Sequence, residues 1–430
     1  MADRISRIRV RGFRCLADVT LDLDGLTVLI GENGSGKSSL VEVCEVLRHL
    51  GARDFAIGDL LVKFPDVWRA SGKVLELEVR VEERASAPTA ADELDVPTAA
   101  PPLRYLLTLW RLEQGQVVVL REELEIEQPE LAKRAVLQRT TSASRVYDPA
   151  LQDLSEVEIE ADRTLLGVFR AMPRKSVAPG LHMRAIERVG IALQGIEVHV
   201  PFEVTPAWVA QQRARRSELR ESLLLQPAHR LELLGTNLIN ALHRLSNVIG
   251  GDHWEDTLEI LRLGLGRDLE SVVFHPDPSG GRQSLALRFR GGDGDVPASG
   301  LSDGQLSFLA FVTLLRLPRP ERSLLVFDEV ERHLHPGLLS RVFAMFESLA
   351  RHVPVLLTTH SDRLLDWVTD PAQSVVLSEL DERRSTRLKR PNAELLAEWL
   401  KDYRGLGDLR MAGLESAVME ERVDAPRPPC

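Results

Sequence analysis

Apolar positions along the chain change period several times, and each period predicts a different element. Near the start Ile8 and Val10 alternate with Arg7, Arg9 and Arg11, which predicts a strand with one charged face. Leu26-Thr27-Val28-Leu29-Ile30 is a continuous, partly β-branched run ending at Gly31, which predicts a second, buried strand. From Lys37 onward Leu40, Val41, Val43, Cys44 and Leu47 recur at helical spacing, with Gly51 as the stop. Strand-like stretches then follow at Val74 to Val81, Tyr105 to Leu112 and Val117 to Ile126, consistent with an antiparallel sheet. Between the first two, Ala85 to Pro102 is rich in Ala, Pro and Thr and is expected to be a mobile loop.

From about Leu151 to Leu265 the pattern is mostly helical, with Leu231, Leu234, Leu238, Ile239 and Leu242 among its apolar positions. No long run of a/d heptads occurs there, so the expectation is an inserted helical region and not a long coiled-coil arm. Strand character returns at Ser271 to His275 and Ser284 to Phe289. A helix (Leu306 to Leu315), a strand (Leu324 to Phe327), a helix (Leu338 to Arg351) and a strand (Val353 to Thr358) then alternate, the signal for a parallel sheet with crossover helices. The expected fold class is α/β, with a mixed sheet, flanking helices and an inserted helical region. The expected partition is 1–150, 151–265 and 266–430, with a disordered Pro-rich tail from Ala425.

Composition narrows the function classes. The 430 residues are 44% apolar, enough for a substantial core. No apolar run approaches the length that a membrane-spanning helix needs, and Met1-Ala2-Asp3-Arg4 leads into a charged strand. The expectation is a cytoplasmic protein with no membrane partner. Cys15, Cys44 and Cys430 form no CxxC pair, so neither a disulfide framework nor a zinc site is suggested. A formal charge of −10 means that any nucleic-acid contact must come from a local patch or a partner.

Four segments carry chemistry. Gly31-Glu32-Asn33-Gly34-Ser35-Gly36-Lys37-Ser38 has the form of a phosphate loop between a strand and a helix. Its glycines let successive N–H groups face phosphate oxygens, Lys37 reaches the β/γ-phosphates, and Ser38 offers a hydroxyl to Mg²⁺. With glycine at about 7% of residues, chance produces the full pattern in on the order of one chain in a hundred, so nucleotide binding outweighs a Gly-rich turn. Asp328 and Glu329 end an apolar strand, where one carboxylate can serve the metal and the other can orient water. His360 ends another strand, positioned to hydrogen-bond a γ-phosphate. Between loop and acidic strand stands Leu301-Ser302-Asp303-Gly304-Gln305.

With these segments the chain resembles an ABC-type ATPase head of the SMC/RecF-like branch. It looks most like the stand-alone bacterial predicted ATPases related to the OLD nucleases of phage-defence and repair loci. The residues that carry the resemblance are Ile8 to Arg14, Gly31 to Ser39, Leu301 to Gln305, Phe327 to Pro336 and Thr358 to Ser361, with weaker likeness at Leu234 to Leu238 and at Leu400 to Gly413. The resemblance implies a P-loop NTPase head and an ATP-dependent head-to-tail homodimer. Gly31, Asn33, Gly34, Ser35, Gly36, Lys37, Ser38 and Ser39 of one subunit would hold ATP, while Ser302, Gly304 and Gln305 of the other cap it. Ser38 and Asp328 would hold Mg²⁺, with Glu329, His360 and Lys37 as catalytic groups. Arg14 would touch the nucleotide, or is an exposed strand-end arginine. Gln138 is the candidate for the glutamine of the N-terminal lobe that such families use. Two departures stand out: Val330 replaces a usual proline, and Asp303 replaces the glycine of the transporter-type signature.

Two basic runs bear on nucleic acid: Arg213, Arg215, Arg216 and Arg220, and then Arg383, Arg384, Arg387, Lys389 and Arg390. Interleaved or adjoining acids and few aromatics make a solvated face the favoured reading of either run alone. Three functions remain open. One is an ATPase that gates an effector, a nuclease or toxin from the same operon, in antiviral defence. The stretch after His360 lacks the acidic DxD-type pattern of a TOPRIM nuclease, so this reading places the effector in a separate chain. Another is a repair ATPase that clamps DNA directly. The third is a non-hydrolysing ATP sensor or scaffold.

Overall fold

The computed structural model describes residues 3–53, 55–69, 72–84, 100–113, 115–128, 131, 134–172, 180–205, 218–277 and 280–421. The loop expected at Ala85 to Pro102, most of the first basic run, Cys430 and the Pro-rich tail lie wholly or largely outside them. The chain divides into two compact units that do not follow sequence order: 1–198, 321–326 and 350–430 form the first, and 199–320 with 327–349 the second. The boundaries expected at 150 and 265 fall inside these units.

The first unit holds an eight-stranded sheet of β1 (Asp3–Phe13), β2 (Leu16–Asp22), β4 (Val74–Glu83), β5 (Leu103–Arg111), β6 (Val117–Ile126), β7 (Ala135–Arg139), β8 (Ser144–Asp148) and β9 (Asp153–Glu156), in the order β2-β1-β4-β5-β6-β7-β8-β9. Neighbours run antiparallel throughout. In β1 the buried residues are Ile5, Ile8, Val10 and Phe13, which break strict alternation twice. A bulge between Ile5 and Arg7 causes the first slip, since one extra residue reverses facing. Gly12 causes the second: it takes a positive φ, and a Cβ there would stand 2.2 Å from the Val74 carbonyl oxygen.

The second sheet has seven strands in the order β10-β15-β16-β3-β17-β18-β19. They are β3 (Leu26–Gly31), β10 (Ile196–His199), β15 (Leu324–Phe327), β16 (Val355–Thr359), β17 (Val375–Leu380), β18 (Thr386–Pro391) and β19 (Met419–Glu421). All six residues of β3 are buried, as its unbroken apolar run requires of a strand covered on both faces. It pairs in parallel with β16 and with β17, so all three end on the same side. Region 151–265, read from sequence as helical, contains the helices Leu181–Gln194 and Gly251–Leu265 but also supplies β10 to this sheet. Its four residues are too short for a periodic signal, although all are buried.

The entry to β15 is fixed from several sides within the first unit. Gly195 packs where a Cβ would stand 2.1 Å from the Glu321 carbonyl oxygen. Arg322 donates from Nε to Glu197 at 2.6 Å, and the two side chains are only 3% and 4% exposed. The Arg322 carbonyl accepts from Arg84 at 2.6 Å, and Ser323 donates its N–H to Gly195 and accepts from Ile5. Burying two charges gains little in itself, but removing one strands the other in an apolar setting.

The second unit holds the small sheet β11 (Leu223–Leu224), β12 (Leu269–Pro276), β13 (Arg282–Phe289) and β14 (Val296–Pro297) together with the helices Asp303–Arg316 and Pro336–Ala350. Phe202, Phe311, Phe327 and Phe346 form its aromatic centre, with centroids 4.6 Å apart for Phe311–Phe327 and 5.0 Å for Phe202–Phe311. The weak motif at Leu234 to Leu238 forms a turn: Gly235 has φ 77°, and Asn237 both accepts from the Glu232 N–H and donates to the Arg230 carbonyl at 2.9 Å.

Arg322→Leu or Glu197→Leu alone should destabilise the protein by about 3–5 kcal/mol, whereas the double replacement should cost far less because no charge is left buried. Denaturant unfolding of the three variants checks this; a double variant as unstable as the sum of the singles would contradict it.

Candidate functional site

The phosphate-loop residues lie between β3 and the helix Lys37–Leu50 in the first unit. Gly31 passes so close to β17 that a Cβ would stand 2.1 Å from the Ser378 carbonyl oxygen. Gly34 and Gly36 have φ 80° and 107°. Glycine adopts such conformations freely. At Gly36 a Cβ would also stand 2.3 Å from Thr386 Oγ1. Space thus requires glycine at Gly31, and space and backbone freedom together require it at Gly36.

Two hydroxyls fix the loop's direction. Ser378 Oγ on β17 and Thr386 Oγ1 on β18 both donate to the Ser35 carbonyl, at 2.9 and 2.8 Å. In a trans peptide the C=O and the following N–H point opposite ways, so anchoring this carbonyl aims the Gly36 N–H away from the sheet. Lys37 is 5% exposed, and its ammonium donates to the carbonyls of Gly31 and Glu32, both at 2.8 Å, closing the loop on itself. The helix that follows has no side-chain cap at Gly36, so its first N–H groups and the positive end of its dipole stand ready for an anion. Ser38 is exposed in its first turn, while Ser39 is buried with its hydroxyl 3.9 Å from Cys15 Sγ. Asn33 and Gly34 are exposed at the loop's crest. The buried Ser35 Oγ has no hydrogen-bond partner among the described residues, and a buried polar atom of this kind calls for one. These features fit a polyphosphate with a divalent ion at Ser38.

Also in the first unit, Thr359 of β16 lies opposite Ile30 of β3, so His360 emerges at the strand end that carries Gly31. His360 is exposed. Arg14 sits at φ 46° and is committed elsewhere: it donates to the Asp66 carbonyl at 2.9 Å and to Glu42 of the loop helix at 2.8 Å. Burial pushes the Glu42 carboxyl up from its usual range, with Arg14 pulling it back. Gln138 lies in β7 between Glu123 of β6 and Arg145 of β8. Cys44, buried on the loop helix, has its thiol pushed up to about 12 by burial and is inert.

In the second unit Ser302 is the N-cap of the helix Asp303–Arg316 in a reciprocal capping box. Its Oγ accepts from the Gln305 N–H at 3.2 Å, and Gln305 Oε1 accepts from the Ser302 N–H at 2.9 Å. The Gln305 side chain is thus engaged in the cap, and the exposed Ser302 hydroxyl keeps a proton to donate. A Cβ on Gly304 would stand 3.3 Å from the His333 carbonyl oxygen. Asp328 donates its N–H to the His199 carbonyl at 2.9 Å. Glu329 takes a left-handed backbone conformation. That costs a non-glycine residue about 1–3 kcal/mol, and such strain collects at working sites. The Glu329 carboxylate is 3.3 Å from Arg332. Val330, where the resemblance has proline, is fully buried and holds this turn by packing. Burial lowers the His333 pKa below the usual value, with Asp303 and Glu203 opposing.

Sequence reasoning missed Ser378 and Thr386. Each is one hydroxyl in an ordinary strand, and only the fold places them on the loop. The second basic run is largely paired: Arg387 with Asp381 at 3.2 Å, Lys389 with Glu379 at 2.8 Å, and Arg390 with backbone carbonyls.

Comparison with known proteins agrees with the loop geometry. A profile described as "AAA ATPase domain" matches residues 4–78. One described as "AAA domain, putative AbiEii toxin, Type IV TA system" matches residues 256–366. Over 42 residues the chain is 50% identical to the DNA double-strand break repair Rad50 ATPase of Halobacterium salinarum, a match that covers 10% of this chain and only 5% of that protein. Among solved structures, an Smc head domain with an extended coiled coil, bound to the C-terminal domain of ScpA and derived from Pyrococcus furiosus, is 12% identical, with 93% of this chain and 99% of that one covered and a TM-score of 0.48. The SMC head domain from Thermotoga maritima is 13% identical over 90% and 98% of the two chains, with a TM-score of 0.41. The two profiles thus cover the phosphate loop at one end and Leu301 to Gln305, the acidic strand and His360 at the other.

Replacing Ser378 by Ala and Thr386 by Val removes both anchors with little change in volume. The pair should weaken nucleotide binding by about tenfold, each lost hydrogen bond costing about 0.5–1.5 kcal/mol. Equilibrium titration with a non-hydrolysable ATP analogue reads the effect; unchanged affinity would show that the Ser35 carbonyl does not set the loop.

Proposed function

We propose that this protein binds and hydrolyses ATP with a divalent cation, and that two copies close head to tail on the nucleotide to gate a partner effector. The observation that carries the nucleotide reading is the anchored Ser35 carbonyl beside the uncapped helix start and the buried Lys37. Gly31, Asn33, Gly34, Ser35, Gly36, Lys37, Ser38 and Ser39 hold the phosphates in this reading; Ser38 would offer its hydroxyl to Mg²⁺, and Asp328 is the carboxylate that would serve the metal. The cation would neutralise charge on the β- and γ-oxygens. Glu329 orients and deprotonates the attacking water, and His360 hydrogen-bonds the γ-phosphate. Arg14, tied to Glu42, acts in this reading by steadying the loop helix.

The paired arrangement rests on Ser302. Its hydroxyl is exposed at a helix N-terminus and, beside the Gly304 N–H, offers its proton to an anion from outside the chain. Within a capping box the serine is rigid, so little entropy is lost on docking. Gln305 acts in this reading by fixing Ser302.

The effector role is favoured over a DNA clamp by two observations. The profile over residues 256–366 carries the description of a toxin of a toxin–antitoxin system. The arginines of β1 are already paired across the sheet, Arg7 with Asp22, Arg9 with Asp18 and Arg11 with Glu76, which leaves little net positive field for a phosphate backbone. The repair reading keeps the short identity to the Rad50 ATPase in its support.

Glu329→Gln should reduce ATP turnover by about 10²–10⁴-fold, the usual contribution of a positioned base, while ATP still binds. Ser302→Arg should abolish ATP-dependent association and leave binding at Lys37 nearly intact. Turnover assays with light scattering test both; normal hydrolysis by a monomeric Ser302→Arg protein would refute the paired site. Salt-sensitive DNA binding by the isolated protein would instead support the clamp.

A further inference from the structure

Arg220 stands in a short helical turn, Glu218–Arg220, remote in sequence from the signature, yet its side chain is only 3% exposed and ends on it. Its Nε donates to the Val204 carbonyl at 3.1 Å. Its Nη1 faces the carbonyls of Ala298, Ser299 and Leu301 at 3.3, 3.3 and 2.6 Å. Its Nη2 donates to Asp303 Oδ1 at 2.6 Å. Three of these acceptors lead into Ser302 and one follows it directly, so one guanidinium brackets the residue on both sides. The planar fork of arginine can satisfy acceptors spread this widely, whereas an ammonium on a flexible stem cannot.

We infer that Arg220 is a positioning residue for the signature, with Asp303 as its counter-ion, and that together they preset Ser302 and Gly304 to receive the partner subunit's nucleotide. Leu301 and Ala298 are buried under the same turn, so the clamp works against packed backbone. On its other side Asp303 acts on His333, raising its pKa against burial, and the His333 carbonyl backs Gly304. The pair therefore joins the signature to the turn that follows Glu329. Asp303, noted from sequence as a departure from the transporter-type glycine, becomes the residue that neutralises a buried cation.

The inference rests on the paired-ATP reading, and the test separates the two. In the full chain carrying Glu329→Gln, Asp303→Asn and Arg220→Lys are each added, and four quantities are measured: analogue binding by the monomer, ATP-dependent association, melting temperature, and amide exchange across 298–306. Asp303→Asn removes the charge at a side chain 40% exposed but leaves an amide oxygen that can accept from Arg220, whose other acceptors are backbone carbonyls. Association should weaken by about tenfold or more, the loss expected for one charge-assisted hydrogen bond, with monomer binding within about twofold and a lowered melting temperature, because the guanidinium stays buried without its counter-ion. Exchange should rise across 298–306 in both variants. A merely structural role would weaken monomer nucleotide binding in step with association, which overturns the inference. So would association as tight as in the parent, or unaltered exchange. A parent that stays monomeric with ATP overturns the paired reading and this role with it.

Discussion

The direction of one peptide group underlies the rest of the candidate site. Ser378 and Thr386 hold the Ser35 carbonyl from two adjacent strands, and peptide planarity then dictates where the Gly36 N–H points. Neither Gly31 nor Gly36 can be replaced, because the same two strands occupy the space that a Cβ would need. The loop is therefore moulded by the C-terminal hairpin β17–β18, residues more than three hundred positions away in sequence. Thr386 is further fixed through its N–H, which donates to the Cys15 carbonyl at 2.9 Å, so the turn after β1 belongs to the same support. Phosphate binding by backbone dipoles depends on such preorganisation, since dipoles that must turn at the moment of binding give back most of their gain.

The second unit follows similar logic with different parts. Among the described residues the signature segment is gripped by a buried guanidinium and closed by a capping box. Both devices fix a helix start by satisfying backbone groups that would otherwise be orphaned. Where the phosphate loop leaves its helix start uncapped, the signature helix caps itself with Ser302 and Gln305. In the proposed reading that difference suits two tasks, enclosing phosphates in the first case and offering a stiff external surface in the second.

Much of this was legible in sequence. The buried run of β3, the helical spacing after Lys37 and the alternation of strand and helix after Gln305 all form the predicted elements, because strongly periodic segments are governed by local burial. What could not be read is where long-range contacts decide. The four residues of β10 carry no periodic signal, and the charge-rich strand β18 reads as a solvated basic run until its pairing with β17 is seen. Ser378 and Thr386 carry no local mark of their role. Arg220 was visible only as one member of a basic run, and read by spacing alone it belonged to a solvated face. Its burial reverses that reading, because a buried charge must be matched by specific acceptors.

Glu329 shows how the strain is distributed. A left-handed glutamate two residues beyond a fully buried strand costs energy that its neighbours must supply, and Val330, buried completely, anchors the turn on the other side. His333 takes a second left-handed conformation four residues on, where its carbonyl meets Gly304. Two strained residues thus share one turn, one carrying the candidate base and the other backing the signature. A proline at Val330 would lock its own φ and restrict Glu329 toward extended backbone, against the conformation observed. The departure from the resembling families is thus matched to the local geometry: valine permits the left-handed glutamate, and packing supplies the rigidity that a proline ring would have given.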